Sequence, residues 1–223
     1  MVSPCRDWQA FSQAGLAEDY KTVGNYNLFM ACEAPVPSAF RTLPKGYSFR
    51  LCRRDELEVW KRIVAEEQYV PNITNYYNRV YANQAEEFFR RCLFVCNGAD
   101  KPVASCFIWR SYDKINTLAW FRVLPEYEGH GLGRALLTRL LQGAEYPVYL
   151  HTQPTSVCAI KLYTDFGFGL VTNPVIGYRK NDLPESLPYL RRVMHPADFE
   201  RLRFVQADEQ LHQAALSSQT DAF

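Results

Sequence analysis

The feature that most constrains the fold is a glycine-rich segment between an apolar, strand-like run and a strong helical pattern. Its glycines are Gly129, Gly131 and Gly133, and the helical pattern covers Gly131–Gln142 with its apolar residues on one side. Glycine permits sharp turns and a close approach to an anion. A helix start leaves backbone N–H groups unpaired under a partial positive charge. The loop Glu128–Gly133 therefore predicts a main-chain cradle for a phosphate group.

Two other nucleotide-binding motifs do not fit this segment. The spacing Gly129-x-Gly131-x-Gly133 differs from the G-x-G-x-x-G of dinucleotide-binding folds, and no Lys-Ser or Lys-Thr pair follows it as in a P-loop. His130 and Arg134 can add positive charge beside a bound anion. Taken alone, the segment leaves open a simpler interpretation, a glycine-rich turn that only starts a helix.

The order of predicted elements indicates an α+β (mixed α/β) fold. Strands first follow one another across short polar turns, as in an antiparallel meander, and then alternate with helices. Pro71 is expected to end the first helix. The predicted strands are Tyr47–Arg53, Cys92–Cys96, Pro102–Arg110, Thr117–Val123, Pro147–His151 and Leu170–Tyr178. The predicted helices are Glu56–Gln68, Thr74–Arg90, Gly131–Gln142, Ser156–Phe166 and a helical tail around Pro196–Ala215.

Composition and charge argue against several classes of partner. The 223 residues carry a formal net charge of +1, which gives no reason to expect a nucleic acid or an anionic membrane as partner. No apolar run is long enough to span a membrane. The first residues lack the pattern of an export signal, so we expect a cytoplasmic protein.

The cysteine pattern favours reduced, buried thiols. The chain has seven cysteines, an odd number, and several of them lie in apolar runs. Cys92 and Cys96 share one face of a predicted strand, but no second pair and no nearby histidine completes a zinc site. We therefore expect no metal, and Cys158 is interpreted as a packing residue.

Two motifs carry a resemblance to a known family. The pattern Val-x-Pro-x-Tyr-x-Gly-x-Gly-Leu-Gly-x-Ala-Leu-Leu over residues 123–137 resembles the acyl-CoA motif of the GNAT superfamily of N-acetyltransferases. Downstream, Ser156–Phe168 is similar to the family's later motif, N-x-x-A-x-x-x-Y followed by Gly-Phe. The resemblance covers about Tyr47–Lys180. It implies a GNAT-like fold, in which helices flank a central, mixed, mostly antiparallel sheet.

The resemblance also implies a domain organisation. Residues 47–181 correspond to the acetyltransferase domain, residues 1–46 to an N-terminal extension, and residues 182–223 to a C-terminal helical extension. The extensions could cover the acceptor site or form a dimer contact. The first of them could instead be half of a damaged second domain, and these alternatives stay open.

A cofactor and site residues follow from the same resemblance. It implies acetyl-CoA as co-substrate, with the pantetheine arm hydrogen-bonded by the main chain of Val123 and Leu124. It further implies that Tyr163 protonates the leaving thiolate after direct attack by an amine, without an acyl-enzyme. The pyrophosphate would be held by the main chain of Gly129, His130, Gly131, Leu132, Gly133 and Arg134.

Two positions depart from the family pattern. Glu128 stands where the family usually has Arg or Gln, and its carboxylate would repel a pyrophosphate unless it turns outward. Ser156 stands where the family has Asn. A serine can still cap the helix and donate one hydrogen bond to the cofactor, but it cannot do both jobs of the amide.

The remaining candidates concern the base and the acceptor. His151 closes a predicted strand and titrates near neutrality, so it could be the general base, or it could be satisfied by the backbone. Glu66 and Glu67 could hold a cationic amine, although a solvated helix end is favoured. Five aromatic residues could line an acceptor pocket or belong to the core, which is the interpretation we favour for the two phenylalanines. They are Tyr76, Tyr77, Tyr81, Phe88 and Phe89.

Three functions compete at this point. The first is acetylation of a small-molecule amine by a monomer or a homodimer. The second is acetylation of a protein or peptide, and the third is a non-catalytic module that senses acyl-CoA. Cleavage of the thioester that requires an added amine would distinguish the first two from the third.

Overall fold

The computed structural model describes residues 21–218 and residue 222, and these residues form two compact units. We call residues 21–37 and 146–217 the terminal unit, and residues 38–145 with 218 and 222 the central unit. The strands of the central unit are β2 (Ser48–Leu51), β3 (Leu93–Cys96), β4 (Pro102–Ser111) and β5 (Ile115–Val123). Its helices are α1 (Leu57–Val64), α2 (Val70–Val80), α3 (Ala85–Arg91) and α4 (Leu132–Leu141).

The central unit is built on the antiparallel meander that the sequence predicts. Its strands lie in the order β5-β4-β3-β2, with Leu51 opposite Leu93 on the outer pair of strands. The turn between β3 and β4 is closed by Asn97, whose side-chain oxygen accepts hydrogen bonds from the backbone N–H groups of Ala99 and Lys101. Short polar turns thus join the strands in sequence, as expected for a meander.

The helices before the meander differ from their prediction in two ways. The first helix ends at Val64, and Pro71 lies in the first turn of α2 instead of ending a helix. Proline is well tolerated there because its missing N–H would have no intrahelical partner. The single helix predicted over Thr74–Arg90 is divided into α2 and α3 by a 3-10 turn at Ala82–Gln84.

An aromatic core fills the space between these helices and the sheet. Trp60 on α1 is fully buried, and its ring lies 4.9 Å from that of Phe88 in an edge-to-face contact. Tyr77 and Tyr81 are also buried, whereas Phe89 is partly buried against the same cluster. The prediction that the two phenylalanines belong to the core is therefore confirmed.

Trp60→Ala is expected to lower the free energy of unfolding by about 3–5 kcal/mol, because it removes a large side chain from a close-packed cluster. Chemical denaturation followed by circular dichroism measures this loss. Val59→Ala is the matched control, since Val59 lies on the same helix but is 37% exposed; it should change stability by less than about 0.5 kcal/mol. Equal losses for the two variants would contradict the assignment of Trp60 to the core.

The terminal unit contains the other strands and helices. Its strands are β1 (Leu28–Cys32), β6 (Val148–Thr152), β7 (Gly169–Val171), β8 (Val175–Ile176), β9 (Arg179–Lys180) and β10 (Phe204–Val205). Its helices are α5 (Val157–Asp165), α6 (Leu183–Val193), α7 (Pro196–Phe199) and α8 (Glu209–Ser217). Four of the strands form a sheet in the order β10-β7-β1-β6, and β10 runs parallel to β7, so strand pairing is mixed.

Both extensions contribute strands to this sheet, which the sequence analysis did not predict. All five residues of β1 are buried, and the strand pairs with β6 on one side and β7 on the other. The tail is helical for most of its length, with Pro196 at the start of α7, but residues 204–205 form β10. The predicted strand Leu170–Tyr178 is shorter and is followed by the β8–β9 hairpin.

The cysteines are mostly free and buried in the described part of the chain. Cys32, Cys52, Cys92, Cys96 and Cys106 are free thiols. Cys158 is disulfide-bonded, so the expectation that all the cysteines are reduced is wrong at this position. Within residues 21–218, no cluster of three or more His, Cys, Asp or Glu side chains could hold a metal ion. No helix in the same range has the length and apolarity needed to cross a membrane.

Candidate functional site

The glycine-rich loop follows directly from β5 in the central unit. Leu124 donates its N–H to the carbonyl of Val103 at 2.9 Å, and a 3-10 turn at Pro125–Tyr127 then redirects the chain. The Tyr127 hydroxyl accepts a hydrogen bond from the Asn97 side chain at 3.2 Å. The segment that leads into the loop is therefore held in two ways, by the main chain of Leu124 and by the side chain of Tyr127.

Glycine is favoured at each of the three positions in this loop for a local reason. Gly129 and Gly131 have φ angles of +78° and +79°, in the left-handed region that favours glycine. A Cβ atom at Gly133 would lie 2.9 Å from the Phe121 ring and 3.4 Å from a methyl group of Val123. Helix α4 therefore starts in direct contact with β5, as a close-packed strand–loop–helix unit requires.

The loop presents a row of backbone N–H groups. Among the described residues, no acceptor takes a hydrogen bond from the N–H of any residue between Gly129 and Gly133. The N–H of Ala135 donates to the carbonyl of Gly131 at 3.0 Å, which closes the first turn of α4. Gly129, His130 and Gly131 are exposed, so the donors at this end of the loop and the start of the α4 dipole can meet an anion.

Three charged or titratable side chains border the loop. His130 is exposed, and its Nδ1 lies 3.1 Å from the carbonyl oxygen of Tyr127, which leaves Nε2 facing away from that contact. Arg134 is partly buried and donates from Nη1 to the carbonyl of Ala39 at 3.4 Å. Glu128 is exposed at the surface of the loop.

The main chain of β5 is arranged for an extended ligand. Val123 is opposite Ala104 on β4, and the next residue makes the hydrogen bond to β4. Because main-chain groups alternate in direction along a strand, the N–H and C=O of Val123 point away from β4. An extended arm beside β5 could therefore hydrogen-bond Val123 as an added strand would.

A β-bulge lies three residues before Val123. Ser105 is opposite Arg122 and Phe107 is opposite Ala119, so one residue of β4 faces two residues of β5. The bulged residue Trp120 has a φ angle of +56°, an uncommon conformation for a bulky side chain. Strained backbone of this kind persists only where the surrounding structure fixes it.

Tyr163 lies on α5 in the terminal unit. Its side chain is 6% exposed, and its ring centre lies 5.7 Å from that of Phe168. Its carbonyl accepts hydrogen bonds from the N–H groups of Phe166 and Phe168, both at 3.0 Å. The Gly-Phe turn of the second motif therefore folds back onto the main chain of Tyr163. These hydrogen bonds fix the end of α5.

Ser156 stands at the N-cap of α5 but does not cap it. Its φ and ψ angles of −83° and 47° are not those of a typical N-cap, and its side chain makes no cap hydrogen bond. The expectation that Ser156 caps the helix is therefore wrong. The residue is partly exposed, and its hydroxyl is not used by the helix cap.

His151 is hydrogen-bonded through both ring nitrogens. Nε2 lies 2.9 Å from the side-chain oxygen of Asn27, and Nδ1 lies 3.4 Å from Nη1 of Arg179. The Arg179 guanidinium can only donate, so Nδ1 accepts and the imidazole is neutral. Burial, followed by the neighbouring positive charge of Arg179, lowers the pKa of His151 to about 3.

This lowered pKa makes stability depend on pH. The unfolded chain takes up a proton at His151 below its ordinary pKa of about 6.5, whereas the folded chain does not do so until about pH 3. The contribution of His151 is therefore complete above about pH 6.5 and falls by up to about 1.4 kcal/mol per pH unit as pH decreases. Urea unfolding between pH 7 and pH 4 should show that the difference in free energy of unfolding between the native protein and His151→Gln shrinks as pH decreases. A constant difference would contradict a histidine that is neutral in the folded chain.

The two remaining histidines, His195 and His212, and the two candidate glutamates have local structural contacts. His195 accepts a hydrogen bond from the N–H of Ala197, and His212 accepts one from the N–H of Gly177. Glu66 is hydrogen-bonded to the side chain of Gln68 at 2.7 Å, and Glu67 lies 3.8 Å from Arg62. Both glutamates are exposed.

The predicted site residues fall into two groups by unit. The central unit brings together the main chain of Val123 and Leu124 with the loop Gly129–Arg134. The terminal unit contains His151, Ser156 and Tyr163. The bulge at Trp120 and the partners of His151 could not be predicted from the sequence, because a strand pattern carries no signal for a bulge and Asn27 and Arg179 match no motif.

Comparison with known proteins identifies the family. Residues 57–168, half of the chain, match the model of the acetyltransferase (GNAT) family. The chain has no significant match among curated proteins. Similar solved structures are a GCN5-related N-acetyltransferase from Sphaerobacter thermophilus and a GNAT-family acetyltransferase from Colwellia psychrerythraea.

These structures are distant relatives of the chain. The identities are 16% and 19%, the TM-scores 0.49 and 0.46, and the matches cover 69% and 66% of this chain. The chain spans 52% and 53% of the length of the two relatives. On the family match, the chain belongs to the GNAT acetyltransferase family and has its α+β fold, with a mixed sheet flanked by helices.

Proposed function

We propose that the protein is an acetyl-CoA-dependent N-acetyltransferase that acts on a small-molecule amine by direct attack. Membership of the GNAT family supports acyl transfer in general. The observation that carries the proposal is the row of N–H groups from Gly129 to Gly133, which no described residue occupies. Such a row at the start of α4 is suited to a diphosphate and supports a cofactor site at this loop.

The residues of the central unit would bind the cofactor. The N–H groups of the loop Gly129–Arg134 would hold the diphosphate, and the main chain of Val123 and Leu124 would hold the pantetheine arm. Ser156 of the terminal unit would donate its hydroxyl, which it does not use as a helix cap. When bound, acetyl-CoA supplies a reactive thioester carbonyl and a thiolate leaving group.

Tyr163 is proposed to give its hydroxyl proton to the leaving sulfur. A positioned acid of this kind contributes about 10²–10⁴-fold to the rate of a transfer reaction. The ring is held by burial and by the turn at Phe166–Phe168. A fixed ring keeps the hydroxyl in one place, which proton transfer in the transition state requires.

His151 can be the general base only on one condition. Its lone pair at Nδ1 accepts from Arg179, and with a pKa of about 3 the ring cannot hold a proton at neutral pH. A role as base therefore requires Arg179 to move away from Nδ1. The proposed transfer does not depend on this step, because an amine can also attack from its unprotonated fraction and then release the proton of its nitrogen to water.

The kind of acceptor, the oligomeric state and the cellular location are also proposals. A protein or peptide acceptor is the second candidate, but the net charge of +1 offers nothing that favours it. Glu128 and Ser156 are the features that favour a non-catalytic acyl-CoA sensor, and retention of Tyr163 argues against it. A homodimer and a cytoplasmic location complete the proposal.

The experiment that tests the proposed function follows release of free thiol from acetyl-CoA. The full chain is incubated with acetyl-CoA alone and with a mixture of small primary amines, and the thiol is measured with a chromogenic disulfide. Release that requires the amines and is accompanied by an acetylated product supports the transferase. Binding of acetyl-CoA without amine-dependent release would support the sensor and overturn the transferase.

A further inference from the structure

We infer that Tyr76 and Trp120 select an acceptor whose amine is carried by a planar, aromatic group. We call these two side chains the aromatic corner. The inference rests on the proposed function, because it names the class of acceptor for the same site. Both residues belong to the central unit.

The two rings of the corner form a right-angled surface. Their centres are 5.2 Å apart and their planes meet at 77°. Both side chains are partly exposed, in contrast to the buried rings of Trp60, Tyr77 and Tyr81 behind them. The corner is therefore an accessible edge of the aromatic core, and it offers one ring face beside another ring edge.

The corner is held rigidly. The indole N–H of Trp120 donates to the hydroxyl of Tyr81 at 2.8 Å, and Tyr81 is 1% exposed. The Trp120 ring also packs against Trp60, at 5.8 Å and 82°. These contacts fix the side chain of a residue whose backbone is already in a strained bulge. A fixed surface binds a rigid ligand with little loss of conformational freedom.

The corner lies where the reacting end of the cofactor arm would arrive. An arm that follows β5 away from the glycine loop passes Val123 first and then reaches Trp120, about 10 Å further along the strand. The bulge at Trp120 is thus the next feature of β5 beyond the proposed pantetheine contacts. An amine that attacks the thioester must approach this region of the strand.

The chemistry of the corner favours an aromatic ligand over an aliphatic or a polycationic one. A ring placed in the corner can stack on one aromatic side chain and meet the edge of the other, which a flexible alkyl chain cannot do. The guanidinium of Arg79 already lies 5.9 Å above the Tyr76 ring. A second cation, such as the far end of a polyamine, would be repelled there.

The test compares 2-phenylethylamine with n-butylamine and putrescine as acceptors. We expect kcat/KM for phenylethylamine to exceed that for butylamine by about 10-fold or more. Tyr76→Leu keeps an apolar side chain on α2 but removes the ring, and it should reduce this preference to near 1 without changing the affinity for acetyl-CoA. Tyr69→Leu is the matched control, since Tyr69 is 53% exposed and lies outside the corner.

A second measurement separates the corner from the proposed function. Calorimetric titration with phenylethylamine in the presence of unacetylated CoA reports binding without turnover. Binding that Tyr76→Leu weakens about 10-fold, in a protein that acetylates no amine, would support the corner and reject the transferase. Amine acetylation with no preference for the aromatic ring, a preference that survives Tyr76→Leu, or no binding of phenylethylamine in any state would overturn the inference.

Discussion

Tyr163→Phe is expected to lower kcat for acetyl transfer by about 10²–10⁴-fold, the contribution of a positioned general acid. The substitution removes one oxygen and keeps the ring, so the contact with Phe168 at 5.7 Å and the burial of the side chain remain. Stability should therefore change little. The affinity for acetyl-CoA should stay within about 3-fold, since the lost hydroxyl acts in the transition state.

Steady-state kinetics with acetyl-CoA and an amine that the unmodified protein acetylates measure the change in kcat. Calorimetry measures the affinity for acetyl-CoA. Tyr189→Phe is the matched control, because Tyr189 is another buried tyrosine of the terminal unit, 5% exposed on α6. It should leave kcat within about 3-fold of the unmodified protein. If the two variants had equal kcat values, Tyr163 would not be the acid.

Gly131→Asp should weaken acetyl-CoA binding by about 100-fold or more. Two effects add: Gly131 has a φ angle of +79°, which an L-residue adopts at a cost of about 1–2 kcal/mol, and the carboxylate brings negative charge beside the diphosphate. Like charges at about 4 Å repel by several kcal/mol near a protein surface. Isothermal titration calorimetry measures the change in affinity.

Gly131→Asn separates these two effects. Asparagine has the shape of aspartate and tolerates the left-handed conformation, but it carries no charge. The position has room for either side chain, since the nearest atom to an added Cβ is on Pro44 at 3.9 Å. We expect Asn to weaken binding much less than Asp. If Asp and Asn weakened acetyl-CoA binding equally, the charge would have no effect. The diphosphate would then lie elsewhere, and the loss of affinity would come from the backbone at position 131 alone.

The parts of the fold that follow local rules could be predicted from the sequence. The meander of β3, β4 and β5 has short polar turns, and its strands carry long apolar runs, so the order of its strands follows from patterns of a few residues. The glycine loop could also be predicted, because its glycines have local causes. Two of them have positive φ angles, and Gly133 lies against Phe121.

The parts that depend on distant contacts could not be predicted. Strand β1 lies inside the sheet because two strands from much later in the chain, β6 and β7, pair with it. Strand β10 is only two residues long and is a strand because it pairs with β7. The state of His151 is set by Asn27 and Arg179, which no local pattern connects to it.

The measurement that most directly tests the proposed cofactor site is calorimetric titration of the full chain with acetyl-CoA and, separately, with S-acetylpantetheine. The second compound has the same thioester and arm but lacks the diphosphate that the loop Gly129–Gly133 would hold. We predict one site for acetyl-CoA with a micromolar dissociation constant, and binding of S-acetylpantetheine that is weaker by about 100-fold or more. Equal affinities, or no binding of acetyl-CoA, would contradict a diphosphate cradle at this loop.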